Sequence, residues 1–89
     1  MRLKISDGCS LILQDNGRLN IESGATLEIG SNVTITGQTS NNKIFVSGVI
    51  GGIGCSQNNP TPIESLTLSS FQNASWSGIE FDNSQLLSN

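Results

Sequence analysis

The sequence predicts an all-β solenoid of about three rungs, with three short strands to a rung. Apolar pairs split by one polar residue recur along the chain, as in Leu19/Ile21, Leu27/Ile29 and Val33/Ile35, and this is the period-two pattern of short strands. Turn-forming clusters follow the pairs closely: Asp15-Asn16-Gly17, Ser23-Gly24 and Gly30-Ser31-Asn32. No helical pattern separates one pair from the next.

Taken in order, Leu3/Ile5 open the first strand and Asp7-Gly8 turn it. Leu11/Leu13 make the second, with Ile12 facing the other way, and Leu19/Ile21 the third. Leu27/Ile29, Val33/Ile35 and Ile44/Val46 make a second rung, interrupted by the polar connection Gly37 to Asn42. The third rung takes Ile50/Gly52, Leu66/Leu68 and Ile79/Phe81. The glycines between Val49 and Gly54 predict a bulge there. Pro60 and Pro62 cannot donate to a ladder, so Cys55 to Thr61 reads as a loop. The first two rungs repeat at roughly 22 to 25 residues. No rung can bury its own apolar side chains; stacking has to do so.

Composition bounds the rest. With 89 residues the chain is long enough for one domain, 1–89, and no more. Arg2, Lys4, Arg18 and Lys43 are its only Lys and Arg residues and the net charge is −3, so no basic patch awaits nucleic acid. No run reaches the ~20 apolar residues of a membrane span. Residues 1–7 lack the apolar centre of a signal peptide. The acidic balance and the abundance of Asn, Ser, Gly and Thr point to an extracellular or cell-surface protein. Without His, most zinc sites are excluded, and no cofactor is expected. Cys9 and Cys55 lack metal-ligand spacing and fall about two rungs apart, too far for a disulfide.

The stretch Gly17-Arg18-Leu19-Asn20-Ile21-Glu22-Ser23-Gly24-Ala25-Thr26-Leu27-Glu28-Ile29 follows a G-x-L-x-I-x-x-G-A-x-L-x-I rhythm. Lys43 to Gly54 continues it, and Trp76-Ser77-Gly78-Ile79-Glu80-Phe81 closes it in a W-x-G-I-x-F form. In these residues the chain resembles the right-handed parallel β-helix repeat regions of bacterial secreted and cell-surface proteins. The resemblance covers most of the chain and implies the fold; the rhythm encodes stacking and no particular activity. Cys55 to Leu68 departs from it, being longer than the N-P-I-x-F stretch usual at that place.

That fold also hosts polysaccharide-cleaving enzymes, which need clustered carboxylates. Here Asp7, Asp15, Glu22, Glu28 and Glu64 are scattered, and only Glu80 and Asp82 share a face, with no cleft implied between them. Catalysis is therefore not expected. Asn32-Val33-Thr34 and Asn73-Ala74-Ser75 are glycosylation sequons, of consequence only in a eukaryotic secretory pathway. Thr34 and Thr36 point outward with Thr67 and Ser69 one rung on, which resembles the Thr ladders of ice-binding β-helices; Ile12 and Gln14 are expected to break the ladder on the preceding rung. Phe45 should face outward, with Trp76 and Phe71 folding over it as a satellite cluster, or should serve as a platform for a sugar ring.

Both ends are expected to lack a cap, because no capping helix accompanies the first or last strand. Exposed rungs carry core side chains and open ladder groups. Leu3, Ile5, Ile79, Phe81, Leu86 and Leu87 are the candidate self-association residues, with Lys4 at one end attracting Glu80 and Asp82 at the other. The functional expectation is a non-catalytic structural module that stacks end to end, on copies of itself or on adjoining solenoid rungs, in an extracellular fibre or surface protein. The alternatives are a carbohydrate-binding module and an ice-binding Thr face.

Overall fold

The computed structural model describes residues 1–82, and Leu86 and Leu87 lie outside them. Among the described residues the strands are β1 (Arg2–Ile5), β2 (Ser10–Leu13), β3 (Arg18–Ile21), β4 (Thr26–Ile29), β5 (Thr34–Gly37), β6 (Lys43–Val46), β7 (Val49–Gly52), β8 (Thr67–Ser70) and β9 (Ile79–Phe81). They form three parallel three-stranded sheets, in the orders β1-β4-β7, β2-β5-β8 and β3-β6-β9. Each strand therefore pairs with the strand one rung away and never with its neighbour in sequence, and the fold is a three-rung parallel β-solenoid. One 3₁₀ turn, Phe71–Asn73, lies in the last long connection.

Alternation decides which residues meet inside. Leu27, Ile29, Val33, Ile35, Ile44 and Val46 of the middle rung are at most 2% exposed, because each has a rung above and below it. Columns of like residues run through the stack: Leu3, Leu27 and Ile50 on one sheet, Leu19, Ile44 and Ile79 on another. At the second sheet the register differs from expectation. Leu11 pairs with Ile35 and Leu13 with Gly37, so Leu11/Leu13 are displaced by two residues from Val33/Ile35. Cys9 takes the place below Val33, whose own successor is Leu66. The reason is Gly37. It belongs to the inward row but has no side chain, and the Trp76 indole lies over it where a Cβ would collide with the ring. Trp76 thus packs against the core and donates from Nε1 to the Ser69 carbonyl at 2.7 Å, instead of closing over Phe45.

No bulge forms in β7: Thr26 to Ile29 pair one for one with Val49 to Gly52. The glycines serve close approach instead. A Cβ on Gly51 would come within 2.9 Å of the Cys55 Cβ, and one on Gly52 would collide with the Pro62 carbonyl oxygen.

Corners are built by two devices. Gly8, Asn32 and Ser65 occupy equivalent places before β2, β5 and β8, and all three have left-handed backbone, with φ of 74°, 57° and 57°. Ladder bonding continues through this corner, from the Gly8 amide to the Ser31 carbonyl and from the Asn32 amide to the Glu64 carbonyl. The next corner is built on Asn42, which is fully buried. Its side-chain carbonyl accepts from the Gln38 and Thr39 amides at 2.9 and 2.8 Å. Its amide donates to the Gln14, Asp15 and Gly17 carbonyls of the rung below at 3.4, 3.2 and 2.9 Å. One side chain thereby closes its own turn and ties two rungs together.

Candidate functional site

The surfaces that depart most from a finished solenoid are its two ends. At the first rung, Leu3 is 40% exposed whereas Leu27, next in the same column, is fully buried. Leu3, Ile5, Leu11, Leu13 and Leu19 line an open concavity there, together with Lys4, Cys9 and Arg18. Ile5, Leu11 and Leu19 pack against the core but stay half-covered. At the last rung, Ile79 is half-buried while Leu68 and Phe81 are 47% and 51% exposed. Of the candidate self-association residues, Leu3 and Ile5 therefore lie at one end and Ile79 and Phe81 at the other. Leu11, Leu19 and Leu68 belong beside them, and their place in the period-two pattern already marked them as core-facing.

The two ends are not alike. Val49 donates to the Ala25 carbonyl of the rung below, so by alternation the Gly52 amide faces away from that rung. It donates to the Thr61 carbonyl at 2.8 Å. Thr61-Pro62 thus lies along the free edge of β7, in the place where a fourth rung would pair.

The Ile53–Pro62 loop that brings Thr61 there is fastened to the outer face of the same sheet. Glu28 accepts the Gly54 amide on Oε1 at 2.8 Å and meets the Arg2 guanidinium with Oε2 at 3.2 Å. Arg2 Nη2 also donates to the Cys55 carbonyl at 2.8 Å. The Gly54 amide, and after it Arg2, hold the Glu28 carboxyl below its ordinary value of 4.5, against an opposing push from desolvation. Cys55 is fully buried in the slot beside Gly51, and a tight antiparallel bridge between Ser56 and Asn59 turns the loop back. Both cysteines are free thiols, Cys9 exposed and Cys55 buried.

The other two outer faces are simpler. On the β2-β5-β8 sheet the register places Ser10, Thr34 and Thr67 in one row and Ile12, Thr36 and Ser69 in the next. The residues below Thr34 and Thr36 are thus Ser10 and Ile12, not Ile12 and Gln14, and the first row carries hydroxyls throughout. On the β3-β6-β9 sheet Phe45 lies between Asn20 and Glu80. The Lys43 Nζ lies 5.3 Å from the centre of its ring and 3.4 Å from Glu80. Asp82 accepts from the Ser47 hydroxyl at 3.3 Å, so Glu80 and Asp82 are each engaged with the middle rung. Among the described residues no group of three or more His, Cys, Asp or Glu is placed to hold a metal ion, and no helix is long and apolar enough to cross a membrane.

No family model, curated protein or solved structure matches this chain. The geometry of the ends therefore carries the functional argument.

Proposed function

We propose that this chain is a non-catalytic structural β-solenoid module that stacks end to end, as a subunit or segment of an extracellular fibre or surface protein of the kind the bacterial β-helix repeats resemble. One observation supports it above the others: the first rung presents the same inward row that the middle rung buries, with Leu3 40% exposed where Leu27 is fully covered. Completing the burial of each half-covered Leu or Ile contributes up to about 1.5 to 3 kcal/mol, and the edges of β1, β2 and β3 offer ladder groups at the same spacing. A head-to-tail contact between copies does not close, so it yields a filament. Sedimentation and electron microscopy at rising concentration test the reading. Elongated oligomers are expected, and Leu3→Lys should abolish them by placing a charge in the joint. A protein that stays monomeric at every concentration, with the Ile53–Pro62 loop intact or loosened, would overturn it.

A second reading has one observation in its favour. The unbroken hydroxyl row Ser10, Thr34 and Thr67, beside Thr36 and Ser69, gives a flat polar face suited to an ordered lattice of water such as ice. Thermal hysteresis lost on Thr34→Lys would favour it; freezing indistinguishable from that of a control protein would dismiss it.

A further inference from the structure

The last rung exposes apolar side chains, yet among the described residues the β7 edge is already occupied by the chain itself. We propose that the Ile53–Pro62 loop is a displaceable guard on the β7 edge, and that the first rung of a second copy takes its place when it leaves. This rests on the stacking reading and adds to it a named joint, a polarity and a control element.

The occupant follows from the register. The first rung meets the middle one as Leu11 on Ile35, Leu19 on Ile44 and Ile21 on Val46. The same strands of a second copy, carried on past the last rung, bring Leu11 onto Leu68, Leu19 onto Ile79 and Ile21 onto Phe81. Arg18 of that copy falls next to Gly78, diagonal to Glu80, as Lys43 stands diagonal to Glu80 from the other side and reaches it at 3.4 Å. On these two sheets the inward rows fit, and Arg18 meets an acid. On the third they do not, because β1 of the second copy needs the place where Thr61 accepts the Gly52 amide.

The loop is built as a guard is built. Its returning limb is Pro60-Thr61-Pro62, and the two prolines have no amide to offer a newcomer. It spends one carbonyl to satisfy Gly52 and is otherwise held from outside the stack, by Glu28, by Arg2 and by Cys55 in the Gly51 slot. Those anchors belong to the outer face and not to the core, so the loop can leave while the rungs stay folded. Opening is a local event of the kind surface loops undergo below the global stability.

Two thiols report on the two events. With the loop seated Cys55 is buried, and with the first rung uncovered Cys9 is exposed. Glu28→Ala removes the acceptor for Gly54 and the partner of Arg2. Gly51→Val, which leaves the charge unchanged, fills the slot that Cys55 occupies. Wild type and both variants are labelled with a chromogenic disulfide reagent and followed by light scattering over a concentration series, with circular dichroism checking that each is folded. In both variants Cys55 should label faster, and the concentration at which assembly begins should fall about tenfold or more, a 1.4 kcal/mol change at the joint. Cys9 should become protected as assembly proceeds. Assembly at the wild-type threshold in a variant whose Cys55 labels freely would overturn the guard and leave stacking standing. If neither wild type nor variants assemble and Cys9 stays reactive, stacking falls and the guard with it.

Discussion

Asn42 shows how much one buried polar side chain can settle. Its amide has two protons and faces three carbonyls of the rung below, while its carbonyl has two lone pairs and faces two amides of its own turn. Asn42→Asp keeps the shape and turns the donors into acceptors. A carboxylate there faces carbonyl oxygens without a countercharge, so at neutral pH the variant should lose about 3 to 5 kcal/mol, more than Asn42→Ala. Its carboxyl would titrate above the unfolded value, so stability should be recovered on acidification and lost as pH rises through the folded value. Urea unfolding at two pH values checks both the size and the sign; equal losses in the Asp and Ala variants would show that the amide donors do not matter. Ser65 makes the opposite case. It holds φ of 57° at the corner where Gly8 serves in the first rung. Ser65→Gly should therefore stabilise the fold by about 0.5 to 1 kcal/mol, since the left-handed region costs an L side chain more than glycine's extra chain entropy. Urea midpoints would decide it, and a lower midpoint in the variant would mean that the Ser side chain holds the corner.

At the scale of elements, the hold on the loop Ile53–Pro62 depends on a titrating group. Glu28 pairs with Arg2 only when ionised and accepts the Gly54 amide more strongly as the carboxylate, and its carboxyl is held below 4.5. A lowered acid contributes stability that is present above the unfolded value and lost as pH falls through the folded one. Acidification below the ordinary glutamate range should therefore release the loop before the rungs unfold. The Gly54 and Gly52 amides should exchange faster in step, while those of Ile35 and Ile44 stay protected. Simultaneous loss of all four would mean that the loop has no opening of its own. None of this was legible in the sequence. Cys55 to Thr61 reads as a loop from its prolines, but where a loop lies depends on side chains distant in the chain, here Arg2, Glu28 and Gly51. The strands were legible because period-two alternation is local, and eight of the nine inward pairs stand where that pattern puts them. The exception, Leu11/Leu13, shifted because Gly37 looks like a turn residue when it is an inward position left empty for Trp76. The role of Asn42 is not legible in the sequence, because a polar run gives no sign of which member is buried.

For the whole molecule, the register of a head-to-tail joint makes an electrostatic prediction that differs from a count of charges at the ends. Lys4 is on the β1 sheet while Glu80 is on the β9 sheet, so these two cannot meet across an in-register joint. The pairs that can meet follow from the columns. Ile21, Val46 and Phe81 share one column, so Glu22 of an incoming copy comes next to Asp82. Asp7, Ser31 and Glu64 are equivalent at the first corner, where the Ser31 amide donates to Asp7 at 2.8 Å, so Asp7 of the incoming copy comes next to Glu64. Two like-charged pairs at roughly the 4.8 Å rung spacing oppose the joint, and Arg18 with Glu80 favours it. The balance is repulsive, and screening should relieve it, since the Debye length falls from about 30 Å at 0.01 M to about 10 Å at 0.1 M. Added sodium chloride should thus lower the concentration at which assembly begins. Salt that merely strengthened apolar burial would act equally on all variants, whereas Asp7→Asn with Glu22→Gln should assemble more readily at low salt and respond less to added salt. Both substitutions leave the inward rows and the loop anchors untouched. An assembly threshold that rises with salt would mean that attraction holds the joint, and that the second copy docks in some register other than the continuation of the ladder.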